Sequence, residues 1–408
     1  MPKFKPFKAV RPAKGLEKDI AALPYDVVDR QGVLDELSRR PISFLKIDRP
    51  DAAFDENHNP YAKDVYEKGA DFFNEYLKDG KFITENKDCF YIYEQTMDGR
   101  TQTGIVGCSS VDDYINDKIK KHEFTRKEKE DDRVNHVDSL NANTGPIFLT
   151  FKDEQNVTQL LENLKAKYEP LFDFSLDEIR QRGFIVTEPE DIDLICEKMA
   201  DVNAFYIADG HHRAASAVRV AKMRREENPA YNGNEEFNFF LSIVFPANEL
   251  KIYAYNRILK SKKPIENIAK LAEENFEVTA VENLENPTKK RAFLMFDREK
   301  SYNLVAKDDL FENKDIVGSL DVSILQDYFL NPVFEIKDPR TDQNIDFVGG
   351  IYTPQQVRDK LSENEIAFCL YGVSTDELMQ IADEGKVMPP KSTWFEPKLL
   401  SGLFIHLL

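Results

Sequence analysis

Ile207-Ala208-Asp209-Gly210-His211-His212-Arg213-Ala214-Ala215 is the stretch on which the reading of this chain turns. The apolar run from Ala204 to Ala208 predicts a buried strand. It breaks at Asp-Gly, and alanine-rich sequence follows. Ala214, Ala217, Val218 and Ala221 recur at helical spacing, while Arg219, Lys222, Arg224 and Arg225 mostly avoid that face. Asn228-Pro229 supplies a stop. The stretch therefore reads as a strand-loop-helix corner. A helix start presents unpaired backbone N–H groups and a partial positive charge, so it suits an anion. His212 and Arg213 add charge-assisted donors at the same place. The plainer alternative is a capped helix with Asp209 and Gly210 as turn residues and the histidines merely exposed.

Working outward, the 408 residues are enough for two or three domains. With 41% hydrophobic and 31% charged residues, the chain reads as globular and soluble. Its net charge of −18 argues against a duplex-binding protein, which needs a basic footprint. Cys89, Cys108, Cys196 and Cys369 are scattered, with no C-x-x-C pair for zinc, so a reducing compartment is the simple inference. Met1 to Pro6 carries charge without an apolar h-region, and no apolar stretch is long enough to span a bilayer. A cytoplasmic protein without membrane or nucleic-acid partners is the expectation.

The pattern of strands and helices predicts a mixed α/β (α+β) chain in three parts: residues 1–118, 119–262 and 263–408. In the first, Phe90 to Gln95 and Thr103 to Ser109 read as strands around the turn Asp98-Gly99. In the second, His122, Arg126, Lys129, Arg133 and His136 follow steps of 4, 3, 4 and 3, one stripe of a single helix. A cationic stripe in an acidic chain complements either an anionic ligand or the protein's own acidic surface. In the third, Ile366 to Val373 reads as a strand, Ser374 to Glu377 as a capping box and Gly385 as the helix end. The loop from Met388 to Lys398 then places Lys391, Ser392, Thr393 and Lys398 around two prolines and the single Trp394. Stiff backbone with cations and hydroxyls suits a phosphate or carboxylate. A surface loop tying down the strand Leu403 to Leu408 is the structural alternative.

These motifs together resemble a bacterial and archaeal family known as domain of unknown function number ten-fifteen, over essentially the full length. The matching pieces are Leu23-Pro24-Tyr25-Asp26-Val27-Val28, Pro41-Ile42-Ser43-Phe44-Leu45, His122-Glu123-Phe124-Thr125 with Asp132-Arg133, and Asn143 with Pro146-Ile147-Phe148. Ala208 to Arg213, Met388 to Thr393, Pro397-Lys398 and Ser401-Gly402-Leu403 complete them. At Gly145 the chain departs from the family pattern, which has a hydroxyl residue there. The Asp-Gly-His-His-Arg corner in turn resembles the Gly-x-His-Arg corner of the ParB and sulfiredoxin superfamily, which includes free-serine kinases. That likeness implies a ParB/sulfiredoxin-like nucleotide-binding core, with Gly210, His212 and Arg213 on phosphate and Asp209 near metal or substrate. The family resemblance adds a pull toward serine metabolism.

The leading expectation is a small-molecule phosphotransferase, using ATP or ADP with Mg²⁺ and acting on serine or phosphoserine. In phosphoryl transfer a protein mainly positions groups and neutralises charge. Gly210, His212, Arg213, His122, Arg126, Arg133, Lys391, Ser392, Thr393 and Lys398 are the candidates for phosphate. Asp209, Asp26 and His211 are the candidates for catalysis, and Asp209 with Glu123 for the metal. Asp26 lies in an apolar neighbourhood where burial would favour base duty, or it caps a helix or turn. Two alternatives stand beside this one: a metal-dependent phosphatase or hydrolase with ligands from Asp209, His211, His212, His122 and Glu123, and a non-catalytic nucleotide-binding regulator of ParB-like type.

Overall fold

The turn Asp98-Gly99 forms as its sequence predicts. Both residues take positive φ, 51° and 76°, the backbone a two-residue hairpin turn requires. It joins β2 (Phe90–Met97) to β3 (Arg100–Ser110), the middle of a large sheet. The other strands are β1 (Phe4–Lys5), β4 (Ile119–Lys120), β5 (Ile147–Phe151), β6 (Pro170–Leu176), β7 (Ile179–Val186), β8 (Phe205–Asp209) and β9 (Phe239–Pro246). Their spatial order is β4-β8-β5-β9-β3-β2-β7-β6, with β1 beside β3. Most neighbours are antiparallel, but β8 runs parallel to β4 and β9 parallel to β5, so the sheet is mixed. The fold is mixed α/β.

This computed structural model describes residues 1–408. The chain divides into two compact units, residues 1–250 with 397–408, and residues 251–396. The three-part division expected from the sequence differs at residue 118, because β3 and β4, on either side of it, lie in one sheet.

In the first unit, α3 (Val157–Lys167), α4 (Pro189–Ala200) and α5 (His211–Glu227) contribute to a common core with the sheet. Leu161, Ile195 and Ala214 meet Ile92, Leu149, Phe205 and Ile207 there. Each large apolar side chain so buried contributes roughly 1.5–3 kcal/mol, which makes the sheet a stiff mount for the loops at its edge. A second cluster gathers α1 (Lys63–Lys78), through Phe72, Phe73 and Tyr76, with Phe44, Ile47, Phe82 and Ile405. The C-terminal strand is shorter than expected, limited to His406–Leu407 against Ala142–Asn143.

The single helix expected from His122 to His136 begins later. α2 spans Lys127–Leu140, and Arg126 at its N-cap is extended. His122 is buried ahead of it, so the His122 end of the predicted stripe belongs to a loop.

The second unit is a six-stranded antiparallel sheet. Its strands are β10 (Tyr255–Lys260), β11 (Phe276–Ala280), β12 (Ala292–Phe296), β13 (Ser301–Ala306), β14 (Ile345–Gly349) and β15 (Glu365–Leu370), in the order β11-β13-β12-β15-β10-β14. After β15 the predicted capping box forms at Ser374 and Glu377, and α6 (Thr375–Asp383) ends just before a left-handed Gly385. No helix of the protein is long and apolar enough to cross a membrane.

Candidate functional site

The corner is built where β8 hands over to α5. β8 pairs with β5, and its register shifts between Ile207 and Asp209. Such a bulge re-aims the side chain that follows it. Gly210 then turns left-handed, φ 93°, as the N-cap of α5, and no side chain caps the helix. An added Cβ here would lie 3.0 Å from Arg213 Nε, so glycine serves both the turn and the seating of that arginine. The start of this 17-residue helix thus keeps its N–H groups clear of side-chain acceptors.

Arg213 ties the corner together. Its Nη1 donates to Pro146 O at 2.6 Å, and its Nη2 donates to Asp209 Oδ2 at 3.1 Å. Two of the five guanidinium N–H groups are used in this way. The Asp209 side chain remains 39% exposed. Partial burial acts to raise its pKa, but the charges of Lys398 and Arg213 outweigh that, helped by the Gly210 N–H, and hold the carboxyl below its ordinary value. Asp209 is therefore an ionised carboxylate beside an open helix start.

His212 faces the α2 side. Its Nε2 accepts the Arg126 N–H at 3.1 Å, which leaves the proton of the neutral ring on Nδ1. Burial and the Arg126 charge lower its pKa, and Asp26 and Glu130 pull the other way. Arg126, Asp26 and Lys129 therefore all act on the ring of His212.

His211 points inward instead. Its ring meets His122 edge to face at 4.6 Å, and both are buried. Burial holds His122 down to about 4 and His211 well below its usual value, so both are neutral. His122 Nδ1 and His211 Nε2 have no hydrogen-bond partner in the protein. Glu123 Oε2 lies 3.8 Å from His211 Nδ1. No group of three or more His, Cys, Asp or Glu side chains is placed to hold a metal ion. The five residues considered as hydrolase ligands thus do not form a resident metal cage.

Asp26 departs from expectation. It sits exposed in the turn closed by Val27 N–H on Pro24 O. Its neighbour Tyr25 is buried, and burial keeps the phenol protonated well above the usual range.

Arg133 and His136 also face inward. The Arg133 guanidinium lies over the Tyr25 ring at 3.8 Å and pairs with Asp132 at 2.9 Å. Asp132 accepts from Tyr66 Oη as well. His136 Nε2 is 3.1 Å from Ile47 O and 3.5 Å from Asp48 Oδ1, and Asp48 accepts from Thr144 Oγ1. This half of the cationic stripe thus complements the protein's own acids. Tyr25, Asp48, Arg133, Thr144, Gly145, Arg213 and Ser401 wall a cavity of about 30 Å³. Of these, Tyr25, Asp48, Thr144, Gly145 and Ser401 were not among the sequence candidates for the site. The Pro146-Ile147-Phe148 and Ser401-Gly402-Leu403 motifs flag two of the segments, whereas Asp48 stands in no motif.

Lys398 acts on Asp209 through its charge, and its carbonyl accepts from Gln95 Nε2 at 2.9 Å. Lys391, Ser392 and Thr393 belong to the second unit. There Ser392 is buried and donates to Pro389 O at 2.6 Å, Lys391 Nζ reaches Tyr255 Oη at 3.2 Å, and Thr393 is half-buried.

No curated protein matches the chain. Among solved structures, a C-terminally truncated SbnI from Staphylococcus aureus is similar at 12% identity and TM-score 0.38, covering 74% of this chain and 87% of that one. A variant of a free serine kinase in complex with AMP is similar at 16% identity and TM-score 0.35, covering 72% and 87%. A conserved hypothetical protein from Pyrococcus furiosus is similar at 16% identity and TM-score 0.34, covering 74% and 95%. Residues 4–323 match the model of the protein family of unknown function DUF1015, and the chain belongs to that family.

Proposed function

We propose that the corner at the start of α5 binds the phosphates of a nucleotide, and that the chain is a phosphotransferase acting on a small molecule, with serine as hydroxyl acceptor, or phosphoserine as donor in the reverse direction, the substrates to test first. One observation carries this reading. A long helix starts at a left-handed glycine with no side-chain cap, and Asp209 and Arg213 flank that start. Its dipole and free N–H groups suit a phosphate oxygen. Arg213 keeps three guanidinium N–H groups beyond those given to Pro146 and Asp209, donors suited to an anion. Arg126 and Lys398 add positive potential around His212 and Asp209.

ATP or ADP would supply the phosphoryl chemistry. Mg²⁺ would arrive on the phosphates, with Asp209, and Glu123 after it, as the carboxylates to hold it. Asp209 also suits the orienting of an acceptor hydroxyl, because its ionised form accepts a hydrogen bond. Calorimetric titration with ATP, ADP and inorganic phosphate, with and without Mg²⁺, tests the binding. Phosphorus NMR of ATP or ADP with serine tests the transfer. Heat with ADP and the appearance of phosphoserine support the proposal. A folded protein that binds none of the three phosphate compounds overturns it.

A further inference from the structure

We propose that the cavity behind Arg213 is an acceptor subsite that takes the carboxylate of a small hydroxy or amino acid. The proposal rests on reading the corner as a phosphate site, and it adds the class of acceptor. The cavity wall carries two guanidinium groups, Arg133 and Arg213, against one carboxylate, Asp48. Asp48 is already engaged by Thr144 and His136. Arg133 is 6% exposed, and Asp132 takes its Nε and Nη2, which leaves Nη1 without a protein acceptor. Tyr25 Oη and Ser401 Oγ are on the same wall and make no hydrogen bond to the protein. Asp132 balances the Arg133 charge, and the donors left beside it suit a further acceptor, a ligand oxygen or water. The space of about 30 Å³ has room for water or for the end of a small ligand, since one water needs roughly 10–15 Å³ on the same measure.

The position supports the same assignment. Arg213 lines the cavity and also holds Asp209 at the corner. A carboxylate in the cavity and a phosphate at the helix start would share this one residue. Gly145 completes the wall. A Cβ there would lie 3.2 Å from Ser401 Oγ and 3.4 Å from Arg213 Nη1, inside the space a ligand would use. Gly145 is not among the residues of positive φ, so room rather than backbone freedom accounts for the glycine.

The test is calorimetry on the full chain with L-serine, glycerate and ethanolamine, each in the presence and absence of ADP. Serine and glycerate should bind. Ethanolamine, which has the amine and hydroxyl of serine without the carboxylate, should not. Gly145→Ala fills the space and Tyr25→Phe removes a donor while keeping the ring over Arg133. Each should weaken serine roughly tenfold, the effect of losing one charge-assisted hydrogen bond. ADP affinity should stay unchanged in both. Equal binding of ethanolamine and serine overturns the subsite, as does full serine affinity in Gly145→Ala. A cavity filled by water alone leaves serine and glycerate silent, and that also overturns it. Serine binding without any ADP binding would instead support the subsite while refuting the phosphate corner.

Discussion

The corner at Asp209–Arg213 and the loop at Met388–Glu396 contain the same ingredients, cations and polar side chains packed into a few residues. In the loop these groups have partners inside their own unit. Ser392 Oγ donates to Pro389 O, the Lys391 carbonyl accepts from Arg257 Nη2 at 3.0 Å, and the Trp394 indole donates to Glu396. Lys391 Nζ also lies 4.9 Å from the centre of the Tyr255 ring. At the corner the backbone itself is what stays open, because left-handed Gly210 starts a long helix that no side chain caps. The comparison teaches that residue type does not distinguish a ligand loop from a self-satisfied one. What distinguishes them is whether the local backbone supplies the partners.

The sharpest way to break that comparison is to neutralise the corner's carboxylate. Asp209→Asn keeps the side-chain shape and removes the charge. In the proposed transferase, kcat for serine phosphorylation should fall roughly 10²–10⁴-fold with KM for nucleotide changed far less. The melting temperature, read alongside, reports the cost of losing the pair with Arg213. Wild-type turnover in a folded variant would make Asp209 a turn residue and the corner no different in kind from the loop.

Acid should separate the two units by sign. His122 falls from 6.5 in the unfolded chain to about 4 in the folded one, chiefly through burial. Between those values the unfolded chain holds more protons, so the first unit loses stability as pH falls from 6.5 to 4, by about 3 kcal/mol from His122 alone. Asp321 in the second unit behaves oppositely. Burial raises it from 3.8 to about 7, so its contribution is full at low pH and is lost as pH rises through 7. Amide exchange over residues 205–227 should show falling protection from pH 6.5 to 5, while Trp394 fluorescence should show the second unit holding or gaining stability. Parallel loss in both units would refute this.

Much of this was legible in the sequence where local rules govern. The Asp98-Gly99 turn, the Ser374–Glu377 cap and the strand-glycine-helix order at Asp209–Gly210 each follow from backbone chemistry within a few residues. Other features were not legible, because they depend on distant partners. His122 leaves the expected helix because its ring is buried against His211, 89 residues away in the chain by the difference of their numbers. Arg133 matched a cationic stripe, yet its guanidinium faces Tyr25 and Asp132. Asp48 and Ser401 reach the cavity from the two ends of the chain, and no spacing rule joins them. Asp26 leaves burial and a place in a turn or cap both open from its neighbours, and the turn at Pro24–Val27 decides it, with Asp26 in solvent and Tyr25 buried.

A smaller effect sharpens the comparison from the ligand's side. His212→Ala removes the ring that receives the Arg126 N–H and borders the helix start. It should weaken ADP roughly tenfold by calorimetry, the scale of one hydrogen bond to a charged ligand. Lys391→Ala, in the loop, should leave ADP affinity unchanged. Equal losses in the two variants would return the loop to the list of phosphate-binding segments.

The smallest effect should come from the loop's own hydroxyl. Ser392 is 5% exposed, and its Oγ donates to Pro389 O at 2.6 Å. The Ser392 hydroxyl thus turns back to the carbonyl three residues earlier, a local side-chain bond to the backbone. Ser392→Ala should therefore cost about 1 kcal/mol of stability, the net value of one buried hydrogen bond with its acceptor left behind. Urea unfolding followed by Trp394 fluorescence reads that loss in the unit to which both residues belong. Turnover at saturating substrate should stay at the wild-type level, because the hydroxyl already has its acceptor in the backbone. A variant of unchanged stability but reduced turnover would mean that Ser392 works on a ligand after all, and the contrast between corner and loop would fail at the residue where the structure draws it most clearly.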